Sequence, residues 1–201
     1  MYSAFQARLQ KTNSRSRVQQ DFLRIKPGQR VLDIGCGPAD ILAYLPDGVD
    51  YHGYDSEPNY IATARDRYAG RGSFAVRAVS SDTVSDLGTF DVVMALGVVH
   101  HLSDADADIL YATAAKVLRQ GGHVVTLDPA FLKGQNPVAR LLAALDRGKH
   151  VRTPDEYLSI ARRHFQQASA TVLHDLIAVP YTHCILEAQI PLLSADPPLR
   201  S

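Results

Sequence analysis

The sequence predicts an α/β fold, a mostly parallel sheet with helices on both faces. Two observations carry that expectation. Strand-like and helix-like stretches alternate along the chain, the pattern of parallel strands joined by helical crossovers. Residues 30–40 then read Arg-Val-Leu-Asp-Ile-Gly-Cys-Gly-Pro-Ala-Asp, a strand running straight into a glycine-bearing turn, and an acid, Asp55, ends the next strand-like run. Val31, Leu32 and Ile34 suit a strand buried on both faces. Gly35 and Gly37 let the backbone turn sharply and approach a ligand without Cβ in the way.

The elements follow in order. Residues 5–23 are polar and helix-compatible, and Lys26-Pro27-Gly28-Gln29 ends them just before the first strand. A helix is expected over 39–44, with Pro38 near its start, so that turn amides and the helix dipole face an anionic group. Strands are expected at 49–54, 73–76, 90–95 and 123–128, with helices at 58–68 and 105–118. Ser103 or Asp104 can cap the latter helix and Gly121-Gly122 is expected to stop it. Beyond Asp128 the repetition breaks. Helices at 137–145 and 154–164 flank the run Asp146-Arg147-Gly148-Lys149-His150-Val151-Arg152, and strands near 168–173 and 183–190 enclose a hairpin at 178–182.

Asp55 lies about 20 residues past the turn, where nucleotide-binding α/β folds place an acid that accepts hydrogen bonds from a ribose diol. Asp40 stands where the dinucleotide fingerprint has its third glycine, and a bulky acid there is expected to repel a pyrophosphate. The pocket therefore reads as one for a nucleoside without phosphates, its turn receiving a neutral or zwitterionic tail.

Residues 31–37, Gly53-Tyr54-Asp55, residues 90–102 (Phe-Asp-Val-Val-Met-Ala-Leu-Gly-Val-Val-His-His-Leu) and residues 118–127 together resemble the ordered motifs of class I S-adenosylmethionine-dependent methyltransferases. That resemblance implies a Rossmann-like seven-stranded sheet whose last strand runs antiparallel, and S-adenosyl-L-methionine as cofactor. It implies that Asp33, Gly35 and Gly37 line the methionine end, that Asp55 and Ser56 meet the ribose, and that Leu96 offers backbone contacts beside the sulfonium. Many members carry an acid that contacts the adenine amine after the third strand. Here Ala78 holds that place, with Ser81 and Asp82 as candidate substitutes and loop capping as their other reading. Residues 147–157 and Pro180-Tyr181-Thr182-His183 also resemble a small bacterial subgroup of the family, which implies no particular substrate.

One methyltransferase domain is expected over 1–201: an N-terminal helical segment 1–29, a cofactor core 30–128, a lid or substrate insertion 129–166, a final hairpin 167–190 and a tail 191–201. At 201 residues and 46% hydrophobic, the chain can bury about 70% of its unfolded surface in one core. Formal charge is zero, which argues against a nucleic-acid footprint, so the partner is expected to be a small-molecule methyl acceptor. Neither a signal core nor a span of about 20 apolar residues is evident, and cytoplasmic residence is expected; oligomeric state is left open. Cys36 and Cys184 have no metal-ligand spacing, and neither a disulfide between them nor a metal site is expected.

Methyl transfer to a hydroxyl needs an aligned acceptor, exclusion of water and a base. His100 and His101 stand at the end of the fourth strand as candidate bases, or as loop caps. Asp128 closes the fifth strand and is expected to point toward the acceptor, unless it caps the Asp128-Pro129 turn. Tyr181, beside the last hairpin, is a further catalytic candidate or a packed side chain, and His183 a candidate contact to the acceptor. Arg147, Lys149 and Arg152 can grip an anionic acceptor, or form an ordinary solvated charge run. With so many bases at that edge, oxygen is preferred to nitrogen as the methylated atom. Two other readings stay open. A nicotinamide-dependent oxidoreductase shares the strand, turn and acid, and a non-catalytic cofactor-binding or scaffold protein shares the pocket.

Overall fold

The computed structural model describes residues 14–78, 87–146 and 148–190. Its elements are α1 (Ser14–Val18), continued by a widened helical turn over Gln19–Leu23, β1 (Arg30–Ile34), a 3-10 turn (Asp40–Tyr44), β2 (Asp50–Asp55), α2 (Pro58–Arg67), β3 (Ser73–Val76) and β4 (Phe90–Leu96). A short 3-10 segment (Val99–His101) leads to α3 (Asp104–Val117), β5 (Leu118–Pro129), α4 (Pro137–Ala144), α5 (Pro154–Ala161), β6 (Gln167–Leu173) and β7 (His183–Gln189). The seven strands form one sheet in the order β3-β2-β1-β4-β5-β7-β6. All pairs are parallel except those of β7, which runs antiparallel to both β5 and β6.

Packing follows from the strand residues. β1 and β4 are buried along nearly their whole length because helices cover both faces. On one face Leu32, Val93 and Val124 pack with Leu110, Tyr111 and Ala114 of α3 and Tyr157 and Ile160 of α5. On the other, Val31, Val92 and Val125 meet Val18, Leu23, Ile41, Ile61 and Tyr68. Each fully buried large aliphatic side chain contributes about 1.5–3 kcal/mol by leaving water. α5 is further fixed by a capping box, Thr153 Oγ1 accepting from the Glu156 amide while the Glu156 side chain accepts from the Thr153 amide.

Two expectations need correction. The stretch after the glycine turn forms one 3-10 turn rather than an α-helix. Ala39 enters it with φ of 56°, and a helix dipole is too weakly developed there to hold an anion. α3 is not stopped by Gly121-Gly122. It ends at Val117 because Leu118 turns extended to pair with Phe90. The glycines sit in a bulge of β5, where the register moves from Phe90↔Leu118 to Val92↔His123. A Cβ on Gly122 would stand 2.8 Å from the Arg119 carbonyl oxygen.

β1 lies between β2 and β4: the chain builds one half of the sheet outward from it, then crosses to begin the other. The crevice at the carboxyl ends of β1 and β4 is therefore the place where this topology leaves room for a ligand.

Candidate active site

The glycine turn opens that crevice. Gly35 and Gly37 have φ of 70° and 54°, a region that side-chain-bearing residues rarely occupy. A Cβ on Gly35 would stand 2.6 Å from Val98 Cγ2, whereas one on Gly37 would meet nothing within 4 Å. The turn's first amides do not wait for a ligand, which corrects the expectation. Gly35 and Cys36 donate to the Tyr54 carbonyl at 2.7 and 3.1 Å, and Gly37 donates to Asp55 Oδ2 at 2.9 Å. These bonds lash the turn to β2 and leave open glycine surface facing the crevice.

Asp55 is thereby held from both sides, since its Oδ1 accepts from the Glu57 amide at 2.8 Å. Asp33 is buried and accepts the Tyr51 hydroxyl at 2.5 Å. Burial pushes its carboxyl up to about 7 against the lowering effect of that hydrogen bond, with the Asp55 charge adding to the rise. Asp40 pairs with Arg15 at 3.1 Å and with Arg67, so its charge is already matched and the expected repulsion of phosphate is weakened.

A cleft of about 1020 Å³ runs from this turn across the ends of the strands. Asp33, Gly35, Gly37, Asp55, Ser56 and Leu96 all line one end, with Tyr60 and Arg77, which sequence reasoning missed, beside them. Ala78 also lines it; the candidates Ser81 and Asp82 lie outside the described residues. The other end is lined by His100, His101, Asp146, Tyr181 and His183.

The second end is organised around His100. Its Nδ1 lies 2.7 Å from Asp128 Oδ1, an oxygen that also accepts the His100 amide, and its Nε2 lies 3.2 Å from Asp146 Oδ1. Burial alone would lower its pKa, but the hydrogen bonds and charges of the two carboxylates outweigh that and raise it to about 9. Asp146, for which burial works toward the neutral form, is held well below the usual carboxylate range by His100, the Gly148 amide and the Tyr181 hydroxyl. That hydroxyl donates to Asp146 Oδ2 at 2.9 Å. His101 is exposed to the cleft and stacks on His100 with ring centres 4.0 Å apart. Partial burial and the neighbouring imidazolium lower its pKa, so it is neutral at neutral pH. His183, mainly by burial, is pushed down to about 4, and its Nδ1 is buried with no hydrogen-bond partner.

His100, His101 and Asp146 each bring a ligand atom within 4.8 Å of the others, a spacing that a metal ion can use. Both His100 nitrogens are, however, engaged with carboxylates, and a protonated ring has no lone pair for a metal.

Several expected roles move. Asp128 is buried behind His100 and does not line the cleft, so it orients that ring instead of facing an acceptor. Arg152 is buried at 6% exposure, and its guanidinium is occupied by Asp104 at 2.7 Å and by the carbonyls of Val99, His150 and Leu102. It clasps the 3-10 segment bearing the histidines and has no free edge for an anion. Lys149 is exposed and does not line the cleft, and Arg147 lies outside the described residues. Asp146, not among the expected site residues, belongs to the centre. The pattern Asp-x-Gly, in which Gly148 donates to Asp146 Oδ1 at 3.0 Å, is the signal that could have marked it.

Comparison with known proteins agrees with this geometry. Residues 32–124 match the family described as "Methyltransferase domain". Over 113 residues, 54% of this chain, the sequence is 34% identical to a phosphoethanolamine N-methyltransferase of Triticum aestivum. Over 98 residues, 47% of this chain, it is 38% identical to a ubiquinone biosynthesis O-methyltransferase of Sinorhizobium medicae. The matched stretches span 22% and 39% of those relatives' own lengths. Among solved structures, a TehB-like SAM-dependent methyltransferase from Corynebacterium glutamicum superposes with a TM-score of 0.65 at 19% identity, covering 94% of both chains. A Haemonchus contortus phosphoethanolamine N-methyltransferase 2, in complex with phosphomonomethylethanolamine and S-adenosylhomocysteine, gives 0.71 at 18% identity, covering 90% of this chain and 53% of that one. With the motifs in order, the antiparallel last strand and the acid after β2 in place, the chain has the fold of the class I S-adenosylmethionine-dependent methyltransferases and resembles them in sequence over residues 32–124.

Proposed function

We propose that the protein transfers the methyl group of S-adenosylmethionine to a hydroxyl of a small molecule. One observation carries this reading: a single cleft joins the Asp55 and glycine-turn end to the His101, Tyr181 and His183 end. The residues fit the cofactor. Asp55 is fixed by two backbone amides with its remaining lone pairs free for a diol, and the side-chain-free face of Gly37 opens onto space. Asp33, Gly35 and Gly37 would hold the amino-acid tail, Asp55 and Ser56 the ribose, and Leu96 the region beside sulfur. The cofactor supplies an electrophilic methyl carbon on a sulfonium.

What the chain contributes is alignment, dryness and proton removal. Neutral His101, facing the cleft, is the base for a hydroxyl proton, and the His100 imidazolium, pinned between Asp128 and Asp146, fixes the ring on which His101 stacks. The segment 129–166 supplies Leu142, Leu145 and Asp146 to the wall and acts as the roof of the acceptor end. The relatives' names include both N- and O-methyltransferases. The preference for oxygen rests on His101, since a neutral amine needs less help from a base.

Two measurements test the assignment. Asp55→Ala is expected to weaken S-adenosylhomocysteine binding at least tenfold, about 1.4 kcal/mol, because both ribose hydrogen bonds are lost. Calorimetry giving equal affinities for the two proteins would reject that role. His101→Ala is expected to lower kcat by about a hundredfold while cofactor affinity holds. An unchanged kcat would remove His101 from the chemistry.

A further inference from the structure

The acceptor end of the cleft differs in character from the cofactor end. Its walls come from α3, from the segment after β5, and from the β6–β7 hairpin, all on the β4–β5–β7 side of the sheet. Ile109, Leu110, Leu142, Leu145, Ile177 and Val179 line it. Ile109 and Leu145 are kept 47% and 71% exposed at its rim, where bare apolar surface is costly unless something covers it.

Charge narrows what that something is. The arginines among the described lining residues belong elsewhere: Arg15 pairs with Asp40 at the glycine turn, and Arg77 lies over the Tyr54 ring beyond β3. Among the described residues no Lys or Arg lines the acceptor end. Two carboxylates, Asp128 and Asp146, share the single imidazole of His100, so the trio carries one net negative charge with the ring protonated and two with it neutral. A carboxylate or phosphate entering here would meet like charge, with no Lys or Arg among the described lining residues of this end to pair with it. A hydroxyl would meet partners, because His183 and His101 both line this end.

We propose that the acceptor is an uncharged hydroxyl compound with an apolar body, such as an alkylphenol-like molecule, its body against the Leu142–Leu145–Ile109 wall and its hydroxyl between His101 and His183. This replaces the expectation of an anionic acceptor, and it rests on the methyltransferase reading above.

The test uses the whole protein saturated with S-adenosylhomocysteine, after its binding has itself been measured by calorimetry. A series of 4-methyl- to 4-butylphenol and the anionic 4-hydroxybenzoate are then titrated in. Affinity is expected to rise about threefold per added methylene, as apolar surface leaves water. The benzoate should bind at least about tenfold more weakly than 4-ethylphenol, a compound of similar size. Leu145→Asp, at a rim position whose exposure spares the fold, is expected to flatten the alkyl series. If S-adenosylhomocysteine binds but affinity is flat along the series, or the benzoate binds as well or better, the acceptor class proposed here is wrong and the cofactor assignment stands. Should S-adenosylhomocysteine itself fail to bind, the methyltransferase reading falls, and this inference with it.

Discussion

Gly148→Ala is expected to destabilise the protein by about 3 kcal/mol and to slow methyl transfer by at least about a hundredfold. Gly148 lies against His100: a Cβ there would overlap the imidazole Cδ2 and stand 2.6 Å from the His100 carbonyl oxygen. Neither obstacle is the far end of a flexible side chain. The ring is fixed by Asp128, and the carbonyl accepts the His150 amide at 2.9 Å. The strand of chain from Asp146 to Arg152 would therefore have to lift. Lifting it would part Asp146 from His100 and leave a buried imidazolium with one carboxylate instead of two, adding an electrostatic penalty to the overpacking. Urea denaturation gives the stability loss, and the His100 ring resonances report the displacement. Wild-type stability together with unshifted resonances would show that the segment does not press on His100 as described.

That segment also explains where reading the sequence succeeded and where it misled. The turn after β1 and the acid after β2 were legible because both obey local rules: glycine where φ is positive, and a carboxylate at the end of a short buried strand. The paired histidines were legible by position, at the end of β4. Their division of labour was not. Asp128 lies 28 residues from His100, and nothing in either neighbourhood announces that one carboxylate oxygen accepts from both the backbone and the ring. Arg152 misled for a related reason. Among Arg147 and Lys149 it looks like one more solvated cation, yet its partners are Asp104, 48 residues away, and the carbonyls of Val99 and Leu102 around the 3-10 segment. The wrong stop for α3 came from glycine's two uses, since Gly121-Gly122 punctuates a helix or relieves a crowded strand with equal ease.

The same His100 arrangement sets a pH dependence of stability that is one-sided. From about pH 6.5 to about 9 the folded state keeps a proton on His100 that the unfolded chain has released, so raising the pH removes stabilisation. This contribution is complete below pH 6.5 and is lost as pH rises through about 9; a shift of that size corresponds to on the order of 3 kcal/mol. On the acid side several groups act, and the lowered histidines oppose Asp33. Buried His183, pushed down to about 4, refuses a proton that the unfolded chain accepts below 6.5, so stability falls as pH drops through that window. Asp33, pushed up to about 7, keeps a proton that the unfolded carboxyl loses above 3.8, so stability rises as pH drops from 7 toward 4. Urea midpoints should accordingly decline steadily from about pH 6.5 to pH 9. His100→Gln should lose most of the alkaline slope, whatever its absolute stability. A direct titration of the wild-type His100 ring that places its pKa near or below 6.5 would remove both the slope and the twin-carboxylate clamp from which it is deduced.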